Sequence, residues 1–252
     1  SFYGESLLAE RVNIVFASTG YGPLWRPAVE SWLRVVAYTE RHLKEGLIGK
    51  ISGLGITDRT YTHSAQNTIV KNFLDLSDST HLFMTELDMI LPDDVIIKLL
   101  ALDKDVASAL YFLRHGDGQP CLYKKTLVHK NNEFLHSPVS LFPTGEPFRI
   151  DCPGVGCVLF KRKVFERVEF PWFDLAEAKY GSDMYFFTKV KKAGLEVWVD
   201  PRTVCCQIDY VVWNLDDYYE RLKKDPEFGK NGFIIGTPDF YDPKYKTIDE
   251  TA

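Results

Sequence analysis

His81–Leu91 reads HLFMTELDMIL. An apolar strand, His81 to Met84, runs into two carboxylates one residue apart, Glu86 and Asp88, and Pro92 then opens a helix. Side chains alternate along a strand, so positions two apart face the same way. Glu86 and Asp88 therefore present oxygens to one place at the carboxyl edge of a sheet, where α/β folds hold their ligands. Paired hard oxygen donors suit Mg²⁺ or Mn²⁺, ions that share their coordination with substrate phosphates. A solvated turn that ends a strand would carry the same two acids, so the pair takes its meaning from its surroundings.

On the amino-terminal side, Val12 to Ala17 (VNIVFA) is an apolar, β-branched strand closed by Ser18, Thr19 and Gly20. Pro27 opens a helix through about Leu43, stopped by Gly46. Lys50 to Ile56 is a second strand, ending at Thr57 and Asp58. Ser64 is the expected N-cap of a helix carrying Ile69, Val70, Phe73, Leu74 and Leu76. On the carboxyl side, a helix starts at Pro92-Asp93-Asp94 and a fourth strand spans Val106 to Phe112. Strands that alternate with helices predict an α/β protein with a largely parallel sheet. After Arg114 the pattern changes, and residues 115 to 150 read as loop-rich with short strands such as Cys121 to Tyr123. Gly154 to Lys161 reads as a glycine-started strand, and Pro171-Trp172-Phe173 as a rigid aromatic knuckle. Gly181-Ser182-Asp183 opens a helix through Lys192, followed by strands Glu196 to Asp200 and Thr203 to Ile208. Trp213 to Tyr219 allows a helix, and the chain beyond Lys224 reads as loop.

Composition narrows the function. The 252 residues suffice for one large α/β domain, and a net charge of -5 argues against a nucleic-acid partner, which needs a basic face. No apolar run is long enough to span a bilayer, and the start SFYGESLLAERVNIVF lacks the charged and apolar regions of a signal peptide. Cys121, Cys152, Cys157, Cys205 and Cys206 form no CxxC pair and no zinc spacing. They read as small buried hydrophobes of a reducing compartment, which predicts a cytoplasmic protein. The adjacent Cys205 and Cys206 should face opposite sides of their strand.

The ordered segments from about residue 11 to 209 resemble family 2-like glycosyltransferases of the GT-A fold. That fold is a Rossmann-like, mostly parallel sheet flanked by helices, built to bind nucleotide-diphospho-sugars. The resemblance implies a donor half over about 11–114, an acceptor half over about 115–209, and a tail, 210–252, that covers the acceptor site. Ser18 and Thr19 fall where such enzymes hold the nucleotide, and Asp58 where an acid often faces the base. Ser64-Ala65-Gln66-Asn67 matches an Ala-Arg-Asn-like helix start, which places Gln66 and Asn67 at the donor. THLFMTELDMILPDDVI resembles the strand bearing the DxD motif; it implies donor contacts from Glu86 and Leu87, and metal ligation by Asp88 with Glu86. Arg114 ends a strand at the donor, Gly156 lies in the glycine-led acceptor strand, and Trp172 either stacks on the acceptor sugar or packs in the core. Gly181-Ser182-Asp183 stands in for a Gly-Glu-Asp signature, which makes Asp183 the general base; a helix cap is the competing role.

Three positions depart from the pattern: Glu86 replaces the first Asp of DxD, Gln66 the usual Arg, and Gln207 the His that serves relatives as a metal ligand. The expectation is a Mn²⁺- or Mg²⁺-dependent enzyme that moves a sugar from a nucleotide diphosphate, UDP above all, to an acceptor hydroxyl with inversion. The neutral amide of Gln207 keeps a second reading open, a nucleotide-sugar binder with little turnover. A third, a sugar-phosphate nucleotidyltransferase, would need a basic glycine-rich loop after the first strand, and Ser18–Pro23 contains no Lys or Arg.

Overall fold

The computed structural model describes residues 11–20, 24–44, 46, 48–53, 60–114, 118–128, 133–175, 181–209, 215–225 and 233–234. The donor half comprises β1 (Val12–Thr19), α1 (Arg26–Lys44), β2 (Ile48–Gly53), α2 (Thr62–Asp75), β3 (His81–Glu86), β4 (Met89–Ile90), α3 (Val95–Ala101) and β5 (Val106–Leu110). The remainder comprises β6 (Tyr123–Val128), β7 (Glu133–Leu141), β8 (Phe148–Arg149), β9 (Cys157–Lys161), α4 (Arg162–Arg167), α5 (Ser182–Lys192), β10 (Val197–Val204), β11 (Cys206–Gln207), α6 (Leu215–Lys224) and β12 (Phe233–Ile234).

A seven-stranded sheet, in the order β2-β1-β3-β9-β5-β10-β8, forms the centre. β2, β1 and β3 are parallel, as are β5 and β10, while β9 runs antiparallel between β3 and β5. The carboxyl ends of β1 and β3 coincide, because Thr19 pairs with Glu86. Both faces are covered, which explains the continuous apolar runs of the strands. Val15, Ala17, Leu82 and Met84 join one core cluster with Phe73, Phe165 and Phe186 of α2, α4 and α5. Ile14, Phe16 and Phe83 point the other way, toward Trp32 of α1 and Leu99 of α3. The period-two alternation along β1 and β3 thus divides one apolar run between two layers.

Several local expectations shift. α2 starts at Thr62, two residues before Ser64; its first helical bond runs from the Ala65 N–H to the Tyr61 carbonyl, and no side chain caps it. Ser64 lies inside the first turn, where its carbonyl accepts from Thr68 Oγ1 at 2.9 Å. The helix expected at Pro92 begins at Val95, after a turn. The stretch read as loop-rich holds a long antiparallel hairpin, with β6 on β7 in register from Tyr123–Pro138 to Val128–Glu133. β9 begins only at Cys157, since Gly154 turns the chain with φ of +36°. β10 runs through the expected Asp200-Pro201 break; its register against β5 slips between Asp200 and Val204.

Beyond residue 209 the tail supplies α6 and β12, the latter parallel to β7. Tyr218 of α6 is buried, donates its hydroxyl to the Ser140 carbonyl at 2.7 Å, and packs against Phe112 and Phe142. No helix among the described residues is long and apolar enough to cross a membrane. Cys121, Cys152, Cys157 and Cys205 are buried, Cys206 is partly exposed, and all five are free thiols.

Candidate active site

The carboxyl edge of the sheet opens on a cavity of about 530 Å³. Glu86, Arg114 and Gln207 form one part of its wall, Gly181, Ser182 and Asp183 another, and Tyr61, Thr62 and His63 of the α2 start a third. The backbone explains how residues so distant in sequence meet. β3 delivers Glu86, and the Leu87 N–H donates to the Thr19 carbonyl at 3.1 Å, which pins the turn onto β1. α1 clamps the same turn: Trp32 Nε1 donates to the Met89 carbonyl, and the Leu91 N–H to Ser31 Oγ, both at 3.1 Å. β4 then pairs with β11, Met89 opposite Gln207, and the Ile208 N–H donates to the Asp88 carbonyl at 2.7 Å. That two-stranded ladder carries Gln207 to the acids.

Asp88 is buried and tightly held. Arg114 Nη1 donates to its Oδ2 at 2.7 Å, and Gln207 Nε2 donates to the same oxygen at 3.3 Å and to Glu86 Oε2 at 3.3 Å. The other end of the Gln207 amide, Oε1, accepts from the Arg114 backbone N–H at 3.2 Å. Burial pushes Asp88 up from the ordinary carboxylate range, and the Arg114 charge opposes that. Burial also pushes Glu86 up, to about 8, with help from the Asp88 and Asp183 charges and against that of Arg114.

Asp183 stands in the first turn of α5, behind Gly181, whose φ of +117° is a conformation only glycine adopts easily. Gln66 Nε2 donates to its Oδ1 and the Val155 N–H to its Oδ2, both at 3.0 Å. Ser182 Oγ donates to Gln66 Oε1 at 2.9 Å, which fixes the amide with its NH₂ toward Asp183. Burial raises the Asp183 carboxyl, while the Gln66, Val155 and Ser182 hydrogen bonds pull it back. Gln66, expected at the donor, thus braces the carboxylate of α5.

The other expected residues fall outside the cavity wall. Asn67 is consumed as a clamp: its Nδ2 donates to the Phe173 carbonyl at 2.7 Å, and its Oδ1 accepts the Trp172 and Phe173 N–H groups at 3.1 Å each. Trp172 is a core residue whose Nε1 donates to the Phe165 and Val168 carbonyls at 3.1 and 2.9 Å. Gly156 gives room to Tyr111: a Cβ there would stand 2.7 Å from the ring, and the Gly156 N–H donates to the Tyr111 hydroxyl at 3.0 Å. Leu87 packs its side chain over Gly20 and has spent its N–H on Thr19. Ser18 and Thr19 are buried beneath the turn, and the Ser18 hydroxyl has no hydrogen-bond partner among the described residues. Asp58 lies outside the described residues.

Tyr111, Cys121, Tyr123, Cys152 and Gly154 also line the cavity. In the sequence they read as strand, buried thiol or turn residues, and nothing local marks them as facing a ligand.

A divalent ion does not fit the groups at Asp88. Its candidate ligands would be Glu86, Asp88 and the Gln207 amide oxygen, but the Gln207 NH₂ faces both acids and its oxygen is taken by Arg114. Turning the amide over would set its oxygen against the Asp88 carboxylate and its NH₂ against the Arg114 N–H. Arg114 already sets its own positive charge on Asp88 Oδ2. Among the described residues no three His, Cys, Asp or Glu side chains are grouped to hold a metal.

No family model matches the chain, and no curated protein sequence matches it. Solved structures do resemble it. A197 from STIV superposes with a TM-score of 0.58 at 18% identity, over 82% of this chain and 92% of A197. GalNAc-T7, crystallised with UDP, GalNAc and Mn²⁺, superposes with a TM-score of 0.51 at 12% identity, over 85% of this chain and 48% of GalNAc-T7. This chain thus spans about half the length of GalNAc-T7. The fold is the GT-A fold of glycosyltransferases, as the ordered segments predict.

Proposed function

We propose that this GT-A-fold chain transfers a sugar from a nucleotide diphosphate sugar, UDP-linked in the first instance, to an acceptor hydroxyl with inversion at the anomeric carbon. The observation that carries the reading is a single cavity at the carboxyl edge of the sheet where Arg114 and Glu86 face Asp183. In this reading residues 11–114 bind the donor, with Glu86 and Arg114 at the cavity wall and Ser18 and Thr19 buried behind it. The acceptor enters from the side of Tyr61, Leu175 and Gly181, which line the cavity mouth, and residues 115–209 form its wall.

Asp183 takes the proton of the acceptor hydroxyl. The freed oxygen pair forms the new bond to the anomeric carbon as the bond to the diphosphate breaks, and that pair leaves on the diphosphate oxygen. One base acting through one displacement gives inversion. A carboxyl raised by burial is a stronger base than an exposed one, which is what general-base catalysis favours. Gln66 and the Val155 N–H occupy one position on each carboxylate oxygen. A carboxylate accepts more than two hydrogen bonds, so the acceptor hydroxyl has lone pairs left to meet. GalNAc-T7 was crystallised with UDP, GalNAc and Mn²⁺, which supports the donor class; the donor set at Asp88 does not support the ion.

The test is a donor screen. The chain is incubated with each common nucleotide diphosphate sugar and a mixed set of sugar acceptors, and both nucleotide release and glycosylated product are measured. Product formed from one donor bears the reading out. Tight UDP binding with no product and only slow release would replace it with a nucleotide-sugar binder.

A further inference from the structure

We infer that the positive charge for the departing diphosphate comes from Arg114 and not from a divalent ion, so that donor binding and transfer run without metal. The inference rests on the donor class proposed above and deepens it. Three contacts form a closed triangle: Arg114 Nη1 on Asp88 Oδ2 at 2.7 Å, Gln207 Nε2 on the same oxygen at 3.3 Å, and the Arg114 backbone N–H on Gln207 Oε1 at 3.2 Å. Arg114 is thereby held at both its backbone and its side chain. The anchor is buried, with Asp88 8% exposed at its side chain, while the Arg114 side chain is 54% exposed and lines the cavity. An ordinary exposed ion pair has neither the buried anchor nor the second tether.

Such an arrangement suits an anion in the cavity. Guanidinium stays charged at any working pH and presents five N–H donors in a planar fork. One of the five meets Asp88. Among the described residues the others meet no protein acceptor, and the fork matches phosphate oxygens bidentately. Donors placed in advance where charge develops lower the barrier to its departure. Gln207 completes the device: an imidazole or carboxylate at this position would compete for a metal, whereas its amide donates to both acids and accepts from the Arg114 backbone. The two substitutions in the acid motif and at Gln207 are then parts of one change.

Calorimetry of the full chain with UDP, in excess EDTA and again in Mn²⁺, tests this without any variant. The expected result is the same affinity within about twofold in both. Binding only with Mn²⁺ would overturn the inference and leave the glycosyltransferase reading intact. Binding in neither would overturn both. Arg114→Met supplies the second arm, with thermal melting as the folding control: UDP affinity in EDTA should fall at least tenfold and Mn²⁺ should not restore it. Arg114→Lys, which keeps the charge and loses the fork, should fall between. A folded Arg114→Met protein that binds UDP like the wild type in EDTA would show that Arg114 only neutralises Asp88.

Discussion

Asp88 meets a guanidinium at 2.7 Å and an amide NH₂ at 3.3 Å, whereas Asp183 meets, among the described residues, neutral donors, chiefly Gln66 and the Val155 N–H, each at 3.0 Å. Both acids are raised by burial. The difference lies in what balances them. Asp88 has a fixed cation beside it, so its charge is compensated and its Oδ2 is committed to holding Arg114. Asp183 is oriented by dipoles that lower its proton affinity without cancelling its charge. A carboxylate of the first kind is an anchor; one of the second kind can still take a proton. Two acids that burial raises alike in direction are thus assigned different work by their partners.

The sharpest way to break this comparison is Asp183→Asn. The cap position of α5 is Gly181, and the Asp183 oxygens accept from Gln66 and the Val155 N–H, so the change tests the carboxylate and not the helix start. Loss of a general base should lower transfer by about 10²–10⁴. UDP affinity and melting temperature should hold. Transfer near the wild-type rate, measured on the same folded protein, would leave Asp183 as a structural acceptor for Gln66 and Val155.

Glu86 stands between the two acids and sharpens the comparison through stability. Its carboxyl lies near 4.5 in the unfolded chain and is pushed to about 8 in the fold, by burial first and by Asp88 and Asp183 second. Between those values the folded state holds a proton that the unfolded state has lost. Stability contributed at this position is therefore present below pH 4.5 and is lost as pH rises toward 8. Glu86→Gln removes the loss. The variant should gain on the wild type progressively from pH 4.5 to 8, by roughly 3 kcal/mol at most at pH 7, at about 1.36 kcal/mol per pH unit. Denaturant melts at several pH values measure this; a gain that does not grow with pH would mean that Glu86 is ionised in the native protein.

Gln66→Leu weakens Asp183 from its supporting side. Loss of the 3.0 Å donor removes a bond that favours the charged form, so the carboxyl should rise further. The alkaline-rising limb of the rate profile should move to higher pH, and the rate at neutral pH should fall roughly tenfold, as expected for a hydrogen bond to a charged group. A pure folding defect would lower the melting temperature and leave the limb where it is.

What could be read from the chain follows the range of the interactions. The strand-ended acids, Arg114 and the helix start at Gly181-Ser182-Asp183 are local signals, each visible within a few residues. The bracing of Asp183 by Gln66 is not, because it joins positions 117 apart and depends on how α2 packs beside α5. Asn67 misleads for the same reason: its place at a helix start suggests a ligand contact, and only the fold shows the Trp172 and Phe173 amides filling it. The β6–β7 hairpin was hidden by Gly118, Pro120 and Pro138, which read as loop, although Pro138 sits within β7. The place of Gln207 beside both acids and the Arg114 N–H, on which the choice between metal and guanidinium turns, is set only once β11 pairs with β4.

Ser182→Ala probes the smallest part of the difference. Ser182 Oγ donates to Gln66 Oε1 at 2.9 Å, and that bond tells the two ends of the amide apart. With the hydroxyl gone, Gln66 Oε1 loses its donor. The NH₂ end still prefers Asp183, because turning the amide would bring oxygen against a carboxylate. The orientation should therefore survive with a weaker bias, and transfer at neutral pH should fall by only about two- to fivefold, within the worth of one neutral hydrogen bond. Ser182→Thr, which keeps a hydroxyl, should recover most of the loss. Steady-state rates across pH for Ser182→Ala and Gln66→Leu, side by side, decide the point. If the serine variant loses as much as the glutamine variant, then the Ser182 bond to Asp183 outweighs its bond to Gln66, and the acid is balanced by Ser182 in its own helix turn as much as by the amide that reaches it from α2.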